Sequence, residues 1–393
     1  MNTILKPVLH ARTSLLTLVL LVLAAVALYR IEFDRNQPAQ GAAISGVRKS
    51  FVAGHPVRDN RRPLLEVFRD LPAGESGSGP IVWIGNSHLH AVNAIKPGDR
   101  LSSTLLHVAL NDEVFPGERP VFGISMPNLR FEEQFLLTAA MAQLPEARRP
   151  SAIVHGARFH DARRTGVRER VRPLLRTPRM RDWLASTDWA ANFPEAESAM
   201  QRSLVAADEE IRADEGLEAW MVSQVGPYLP IFQRRLFIEF KVHKTLGKIR
   251  NWVFRIDTAS KRGILPTRYR AGMQFLEAAL RVANQAGIRV LLYNAPLRKG
   301  VNIPYIDSEY ARFREDLAAM AQRQGVDYQD YDELIPTEAW GNWVGSDMPD
   351  FSHFTGEGHV ILAERARQDL QHMFEGGDET VEDEIEGAKR VAL

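Results

Sequence analysis

Short strand-like runs alternate with amphipathic stretches along most of this chain, and this alternation limits the folds that the chain can adopt. The strand-like runs are IVWIG (81–85), PVFGIS (120–125), SAIVHG (151–156), IRVLLYNAP (288–296) and VDYQDY (326–331). Helical periodicity predicts helices near residues 102–110, 128–144, 269–287, 308–325 and 357–373. This order predicts an α/β fold, with a mostly parallel sheet and helices on both of its faces. In such sheets the functional residues lie at the carboxyl ends of the strands.

The N-terminus carries an uncharged apolar run at residues 13–29, TSLLTLVLLVLAAVALY. As a helix it is about 25 Å long, just enough to cross the hydrocarbon layer of a membrane. Lys6 and Arg12 precede the run, whereas both signs of charge follow it, so we expect a single-pass anchor (1–30) with its N-terminus inside. The alternative is a cleaved signal peptide, because Ala25-Val26-Ala27 has the small-x-small form of a cleavage site.

Several segments fall outside the alternation. Residues 31–79 contain no long periodic run and predict a stalk with a helix near 63–69. The main domain is expected at 80–373, with a mostly helical insertion at about 157–265. The acidic end of the chain, 374–393, predicts a disordered tail.

The last part of the insertion, residues 228–255, interleaves aromatic and aliphatic residues with Arg and Lys. This composition is typical of a helix that lies on an anionic membrane surface. The alternative is a helix packed on the core with a solvated basic face.

Charge and cysteine content exclude several classes of function. The chain of 393 residues has 49 basic and 49 acidic side chains, so it is not a polycation that coats nucleic acid, and we expect no nucleic-acid partner. It has no cysteine, which excludes disulfides, thiolate nucleophiles and Cys-ligated metal centres. No G-x-x-x-x-G-K-[ST] or G-x-G-x-x-G motif is present, and we expect no cofactor.

Two short motifs at opposite ends of the main domain carry candidate chemistry. Ser87 follows the first predicted strand within Gly85-Asn86-Ser87-His88, where the glycine permits a tight turn that exposes the hydroxyl. The second motif, Asp350-Phe351-Ser352-His353, is expected in a loop just before the last helix. A serine becomes a nucleophile when an imidazole takes its proton and a carboxylate orients that imidazole. Ser87, His353 and Asp350 therefore form a candidate catalytic triad.

A serine block after the first strand and a C-terminal D-x-x-H before the last helix resemble the SGNH/GDSL hydrolase superfamily. The resemblance covers about residues 80–160 and 268–373, and implies its flavodoxin-like three-layer fold. The layout is most similar to the membrane-anchored DltD-like branch of extracytoplasmic acyl-transfer proteins. It implies that Ser87 is the nucleophile, His353 the base and Asp350 its orienting carboxylate. It further implies an oxyanion hole formed by the backbone N–H groups of Ser87 and Gly123, with Gly123 in the loop after PVFGIS.

The sequence departs from the superfamily pattern at two places. Asn86 stands where an acidic residue is common, a change that leaves the nucleophile in place. The third block lacks its usual asparagine, and three residues are candidates for the missing substrate-binding role: Arg158, His155 and Asn294. His88 and His90 are spaced like a pair of metal ligands, but no third ligand has recognisable spacing, and we expect no metal site.

The resemblance favours a membrane-anchored serine O-acyltransferase that acts on an ester-linked group of a cell-envelope polysaccharide. A multi-pass membrane acyltransferase is then an expected partner, and the catalytic domain is expected on the periplasmic side of the inner membrane. Two alternatives remain open: a secreted or anchored esterase or deacetylase, and a non-catalytic assembly factor.

Overall fold

The computed structural model describes residues 51–52, 55–56, 68, 71, 79–111, 119–214, 224, 235–256, 260–343 and 347–391. The predicted anchor at 13–29 and nearly all of the predicted helix at 63–69 lie outside the described residues. Among the residues that are described, no helix is both long enough and apolar enough to cross a membrane.

The described part of the chain contains the following strands and helices. The strands are β1 (Phe51–Val52), β2 (His55–Pro56), β3 (Ile81–Gly85), β4 (Val121–Ser125), β5 (Ala152–Ala157), β6 (Arg289–Asn294), β7 (Asp327–Asp330), β8 (Trp340–Asn342) and β9 (Pro349–Phe354). The α-helices are α1 (Ser102–Ala109), α2 (Phe131–Ala142), α3 (Pro173–Arg176), α4 (Pro178–Ser186), α5 (Pro194–Asp214), α6 (Arg235–Val253), α7 (Pro266–Gln285), α8 (Asp307–Gln324) and α9 (Gly356–Val391). Short 3-10 helices lie at Ser87–Leu89, Glu146–Arg148, Phe159–Arg163 and Thr337–Ala339.

The central sheet has five parallel strands in the order β4-β3-β5-β6-β7. This confirms the predicted α/β class. From β3 the chain moves outward to β4, then crosses back to β5 and continues to β6 and β7 on the other side. The direction of winding therefore reverses between β3 and β5, and in such sheets the binding crevice is expected at the carboxyl ends of the two strands that flank the reversal.

Alternate residues of each strand face opposite layers of helices. In β3, Val82 and Ile84 belong to the core that the sheet forms with α2, α7 and α8. Ile81 and Trp83 belong to the core on the other face, with α1 and α9. All four side chains are buried, as expected for parallel strands covered on both faces.

Between β5 and α7 the described residues form four α-helices, α3 to α6, in the region where the sequence predicts an insertion. Apolar side chains of α3, α4 and α5, such as Leu175, Met180 and Ala199, join the core over α2 and α7. The described side chains of α6 are absent from the hydrophobic cores.

Two segments differ from expectation. Asp350–His353 lies in strand β9, which pairs with β8 in a small antiparallel sheet, rather than in a loop. The backbone of residues 374–391 continues helix α9 where the sequence predicts a disordered tail. Glu, Ala and Lys in that acidic segment are good helix formers, and they extend a helix that is already nucleated on the core.

Candidate active site

Ser87 begins a single 3-10 turn directly after β3. The backbone N–H groups of His90 and Ala91 donate to the Ser87 carbonyl at 3.1 and 2.9 Å, which closes the turn. Asn86 and His88 on either side are buried, whereas Ser87 is partly exposed. The turn therefore presents the serine hydroxyl at the carboxyl end of the first central strand.

The structure brings together the three residues of the candidate triad. Ser87 Oγ lies 2.8 Å from His353 Nε2, although the two residues are 266 positions apart in sequence. His353 Nδ1 lies 2.8 Å from Asp350 Oδ2. In the tautomer with its proton on Nδ1, His353 donates to Asp350 and accepts from the serine hydroxyl, which is the arrangement that general-base activation requires.

The Asp350 carboxylate is held by its own backbone. Its Oδ1 accepts the N–H groups of Ser352 and His353 at 2.9 and 3.1 Å, a local turn that brings Oδ2 to the imidazole. Asn93 donates its side-chain amide to Asp350 Oδ2 at 3.2 Å. Burial acts to raise the pKa of Asp350, but the hydrogen bonds and charge of His353 outweigh it and hold the pKa below its ordinary value.

Asn93 and Trp343 are site residues that sequence reasoning missed. The indole of Trp343 packs edge-to-face on the His353 ring at 5.7 Å between ring centroids. The Asp350 side chain is 4% exposed and that of His353 is 19% exposed. The acid is thus shielded from water, while the imidazole remains accessible beside the serine. Neither Asn93 nor Trp343 lies in a sequence motif, so no sequence pattern predicted that they belong to the site.

Asn86 connects the serine turn to both neighbouring strands. Its Oδ1 accepts the N–H groups of Ser87 and Leu129 at 3.1 and 3.2 Å. Its Nδ2 donates to the Asp161 carboxylate, across the crevice between β3 and β5. Burial raises the pKa of Asp161 well above its ordinary value, against the opposing charge of Arg158. Asp161, in the chain after β5, therefore places a buried acid beside the serine turn.

A buried polar chain lies beneath the serine turn. Trp83 Nε1 donates to the Tyr293 hydroxyl at 3.0 Å, and that hydroxyl lies 3.0 Å from His88 Nε2. Burial lowers the pKa of His88 well below its ordinary value, so the ring is neutral. Gly156 makes room for this chain, since a Cβ there would lie 2.5 Å from the Tyr293 hydroxyl oxygen.

The expected loop position of Gly123 is wrong. It lies in the middle of β4, in register with Trp83, and not in the loop after that strand. The N–H of Ser87, the other expected oxyanion donor, is bonded to Asn86 Oδ1. The loop that does follow β4 contains Asn128, which is exposed and has a φ of 52°, a conformation usually adopted by glycine. The backbone of its neighbour Leu129 is bonded to the Asn86 side chain: the Leu129 N–H donates to Asn86 Oδ1, and Asn86 Nδ2 donates to the Leu129 carbonyl.

Two of the three candidate substrate-binding residues have side chains that contact other parts of the fold. His155 is fully buried against α2, where its ring contacts Thr138 Oγ1 and Gln134 Oε1, both at 3.2 Å. Asn294 directs its amide nitrogen to Asp330 and the Tyr310 hydroxyl, at 2.9 and 3.1 Å, on the side of β7. Both side chains therefore point away from Ser87.

Arg158, the third candidate, lies at the carboxyl end of β5, beside the crevice. It is 8% exposed, and its side chain is bonded to Tyr305. Its charge acts to lower the pKa of His88, next to the serine.

Among the described residues, no three His, Cys, Asp or Glu side chains are grouped so that they could hold a metal ion.

No protein-family model and no curated protein matches the sequence. Among solved structures, the chain is similar to a proposed acylhydrolase from Bacteroides fragilis NCTC 9343. The two sequences are 12% identical, the match covers 80% of this chain and 99% of that chain, and the TM-score is 0.36. A similarity of this degree carries no argument about activity, so a function has to be inferred from the site itself.

Proposed function

We propose that this chain is a membrane-anchored, extracytoplasmic serine acyl enzyme of the O-acyltransferase type. It acts on an ester-linked group of a cell-envelope polysaccharide through an acyl intermediate on Ser87. The observation that supports the chemistry is the unbroken series of contacts from Ser87 through His353 to Asp350, at 2.8 Å each. The anchor rests on the apolar run at residues 13–29, and the periplasmic location and the polymer substrate derive from the sequence resemblance.

The reaction proceeds in two halves. His353 Nε2 takes the Ser87 hydroxyl proton as Oγ attacks the ester carbonyl, and the carbonyl oxygen becomes an oxyanion. The imidazolium then gives that proton to the leaving alkoxide, the ester C–O bond breaks, and acyl-serine remains. In the second half an acceptor hydroxyl gives its proton to His353 and attacks the acyl carbon, after which the serine oxygen leaves and is reprotonated.

Oxyanion stabilisation is assigned to the loop after β4 and to the crevice. The backbone N–H of Asn128 is the proposed donor, because this loop is tied to Asn86 beside the nucleophile. Arg158 at the end of β5 is the proposed second contact for substrate or oxyanion. Fixed donors aimed at developing negative charge commonly contribute the largest electrostatic share of catalysis.

The test of the triad is Ser87→Ala. This change removes one partly exposed hydroxyl, so the fold should remain, while ester turnover and labelling by a fluorophosphonate probe should both disappear. His353→Ala should keep the serine but prevent labelling. A Ser87→Ala protein that still turned over ester, with a circular dichroism spectrum like that of the unchanged chain, would exclude Ser87 as the nucleophile.

Two alternatives keep their place beside this proposal. An esterase or deacetylase uses the same triad and releases the acyl group to water, and an assembly factor only binds polymer. Incubation of the protein with an acyl ester and a sugar acceptor distinguishes the three functions. Acylated sugar as the product indicates transfer, and free acid indicates hydrolysis. If neither product forms, the protein is a binding protein and not an enzyme for this ester. Co-purification of a multi-pass membrane acyltransferase would support transfer further.

A further inference from the structure

Helix α6 exposes a row of large apolar side chains. Val242, Leu246, Ile249 and Val253 follow one another at spacings of four, three and four residues, which places them on one face of the helix. Each is more than half exposed; for Leu246 the exposed fraction is 57%. A β-carbon added at Gly247 would meet no atom within 4 Å, so the helix also has free space beside it.

The end of α6 adds two exposed aromatic side chains. Trp252 is 81% exposed and Phe254 is 70% exposed. Arg255 has a φ of 49°, and the N–H groups of Arg255 and Ile256 donate to the carbonyls of Trp252 and Asn251. These two bonds form a Schellman closure, which fixes the end of the helix next to the aromatic pair. The apolar row therefore continues into the aromatic side chains.

The charge of this segment is of one sign. Residues 241–256 contain the five cations Lys241, Lys244, Lys248, Arg250 and Arg255 and no Asp or Glu, although the whole chain is balanced at 49 basic and 49 acidic residues. An apolar face in a segment whose charges are all positive, with Trp and Phe at one end, matches the boundary of an anionic bilayer, where acyl chains, aromatic rings and acidic headgroups meet.

We propose that residues 242–256, the α6 surface, bind to an anionic phospholipid surface. The apolar row and the aromatic pair enter the headgroup boundary, and the cations pair with lipid phosphates. This contact involves neither the predicted anchor at 13–29 nor the candidate triad. The lipid-binding proposal can therefore be tested independently of the catalytic proposal. It would hold one part of the main domain against the membrane.

The absence of cysteine from the chain makes a site-specific test direct. Leu246→Cys places a single thiol on the apolar row, and Asn251→Cys places one on the opposite side of the same helix as the matched control. Each full-length chain is labelled with an environment-sensitive dye and reconstituted into vesicles of phosphatidylcholine alone, or of equal parts phosphatidylcholine and phosphatidylglycerol. A lipid quencher near the headgroups reports contact with the bilayer. Unchanged thermal unfolding of both variants checks that they fold.

We expect the dye at position 246, and not at 251, to shift to the blue and be quenched in the phosphatidylglycerol vesicles, and high salt to reverse the effect. Each surface cation contributes about fivefold to association with anionic lipid, so Arg250→Gln with Arg255→Gln should lower the ratio of bound to free label roughly 25-fold. A dye at 246 that stays exposed to water in both vesicles would overturn the proposal. So would a dye shifted equally in both vesicles but not quenched by lipid, because a second copy or another protein would then cover the face.

Discussion

At the scale of single residues, the Asp350 carboxylate has two separable tasks. One oxygen accepts two backbone N–H groups and shapes the local turn, and the other faces the imidazole and Asn93. Asparagine retains one acceptor oxygen but removes the charge and presents N–H groups to a site full of donors. The effect of an Asp350→Asn change on catalysis therefore measures the loss of the negative charge more than the loss of the local turn.

We expect Asp350→Asn to lower kcat roughly 10²- to 10⁴-fold, because the imidazole loses the anion that fixes its tautomer. His353→Ala should lower kcat further, since no base remains. The control is Ser352→Ala, which removes a hydroxyl donor 3.2 Å from Asp350 Oδ1 and keeps the charge; its loss should stay below about tenfold. Steady-state ester turnover measures all three. Equal rates for Asp350→Asn and the unchanged chain would show that the contact with His353 is structural.

The sequence was sufficient to predict which three residues come together in the candidate triad, but not the residues that surround them. Ser87 and the D-x-x-H motif each follow or precede a predicted element, and the topology of a parallel sheet brings such ends together. Asn93 and Trp343 lie outside any motif, and their contacts depend on how the β8–β9 hairpin packs. His155 was misplaced although period two along β5 puts it on the same side as Ile153, towards α2; the strand pattern contained that information.

At the scale of elements, Glu132 in the first turn of α2 connects this helix to α5 and to the loop that contains Gly166. Its carboxylate accepts the N–H of Gly166 and the hydroxyl of Ser203 on α5, and it is 1% exposed. Burial raises its pKa from 4.5 to about 7, against the lowering effect of these two hydrogen bonds. The folded chain therefore holds a proton here, between pH 4.5 and about 7, that the unfolded chain has lost.

This proton makes stability depend on pH in a stated direction. The contribution is fully present below the unfolded pKa and is lost as the pH rises through the folded pKa, which amounts to about 3 kcal/mol at most. Glu132→Gln keeps both contacts, because Ser203 can accept from the amide, and it removes the titration. We expect the variant to gain stability over the unchanged chain as the pH rises from 4.5 to 7 in urea unfolding. If the unfolding free energies of the two proteins changed equally with pH, this result would contradict the raised pKa of Glu132.

Gly156 at the end of β5 tests the polar chain below the serine. A β-carbon there would lie 2.5 Å from the Tyr293 hydroxyl oxygen and 3.2 Å from His88 Nε2. Gly156→Ala should therefore displace Tyr293 and the serine turn, cost about 1–3 kcal/mol of unfolding free energy and reduce ester turnover. Gly247→Ala is the control, since its added methyl meets no neighbour and favours helix. The unfolding free energy in urea and the rate of ester turnover are measured for both variants. If Gly156→Ala and Gly247→Ala gave equal values, the site would accommodate the added methyl group without loss of stability or activity.

At the scale of the whole molecule, the position of the main domain relative to the membrane links the catalytic proposal to a substrate. A parallel sheet with its candidate triad at one edge is compatible with many acyl esters. Under the proposed function, the choice of substrate depends on which polymer reaches the carboxyl ends of β3 and β5. The α6 surface and the predicted N-terminal anchor would both limit this, because each keeps the domain close to a bilayer.

The last prediction concerns the side of the membrane on which the domain lies. The apolar run at 13–29 and the cations before it, Lys6 and Arg12, predict that residues 31–393 are outside the cytoplasm. An alkaline phosphatase fused after Leu393 should be active, since that enzyme folds only after export, and protease added to spheroplasts should degrade the main domain. A domain protected in intact spheroplasts would reverse the orientation. A mature N-terminus at Leu28 would instead show a cleaved signal peptide, and membrane attachment would then depend on the α6 surface, so that Arg250→Gln with Arg255→Gln should release the chain in soluble form.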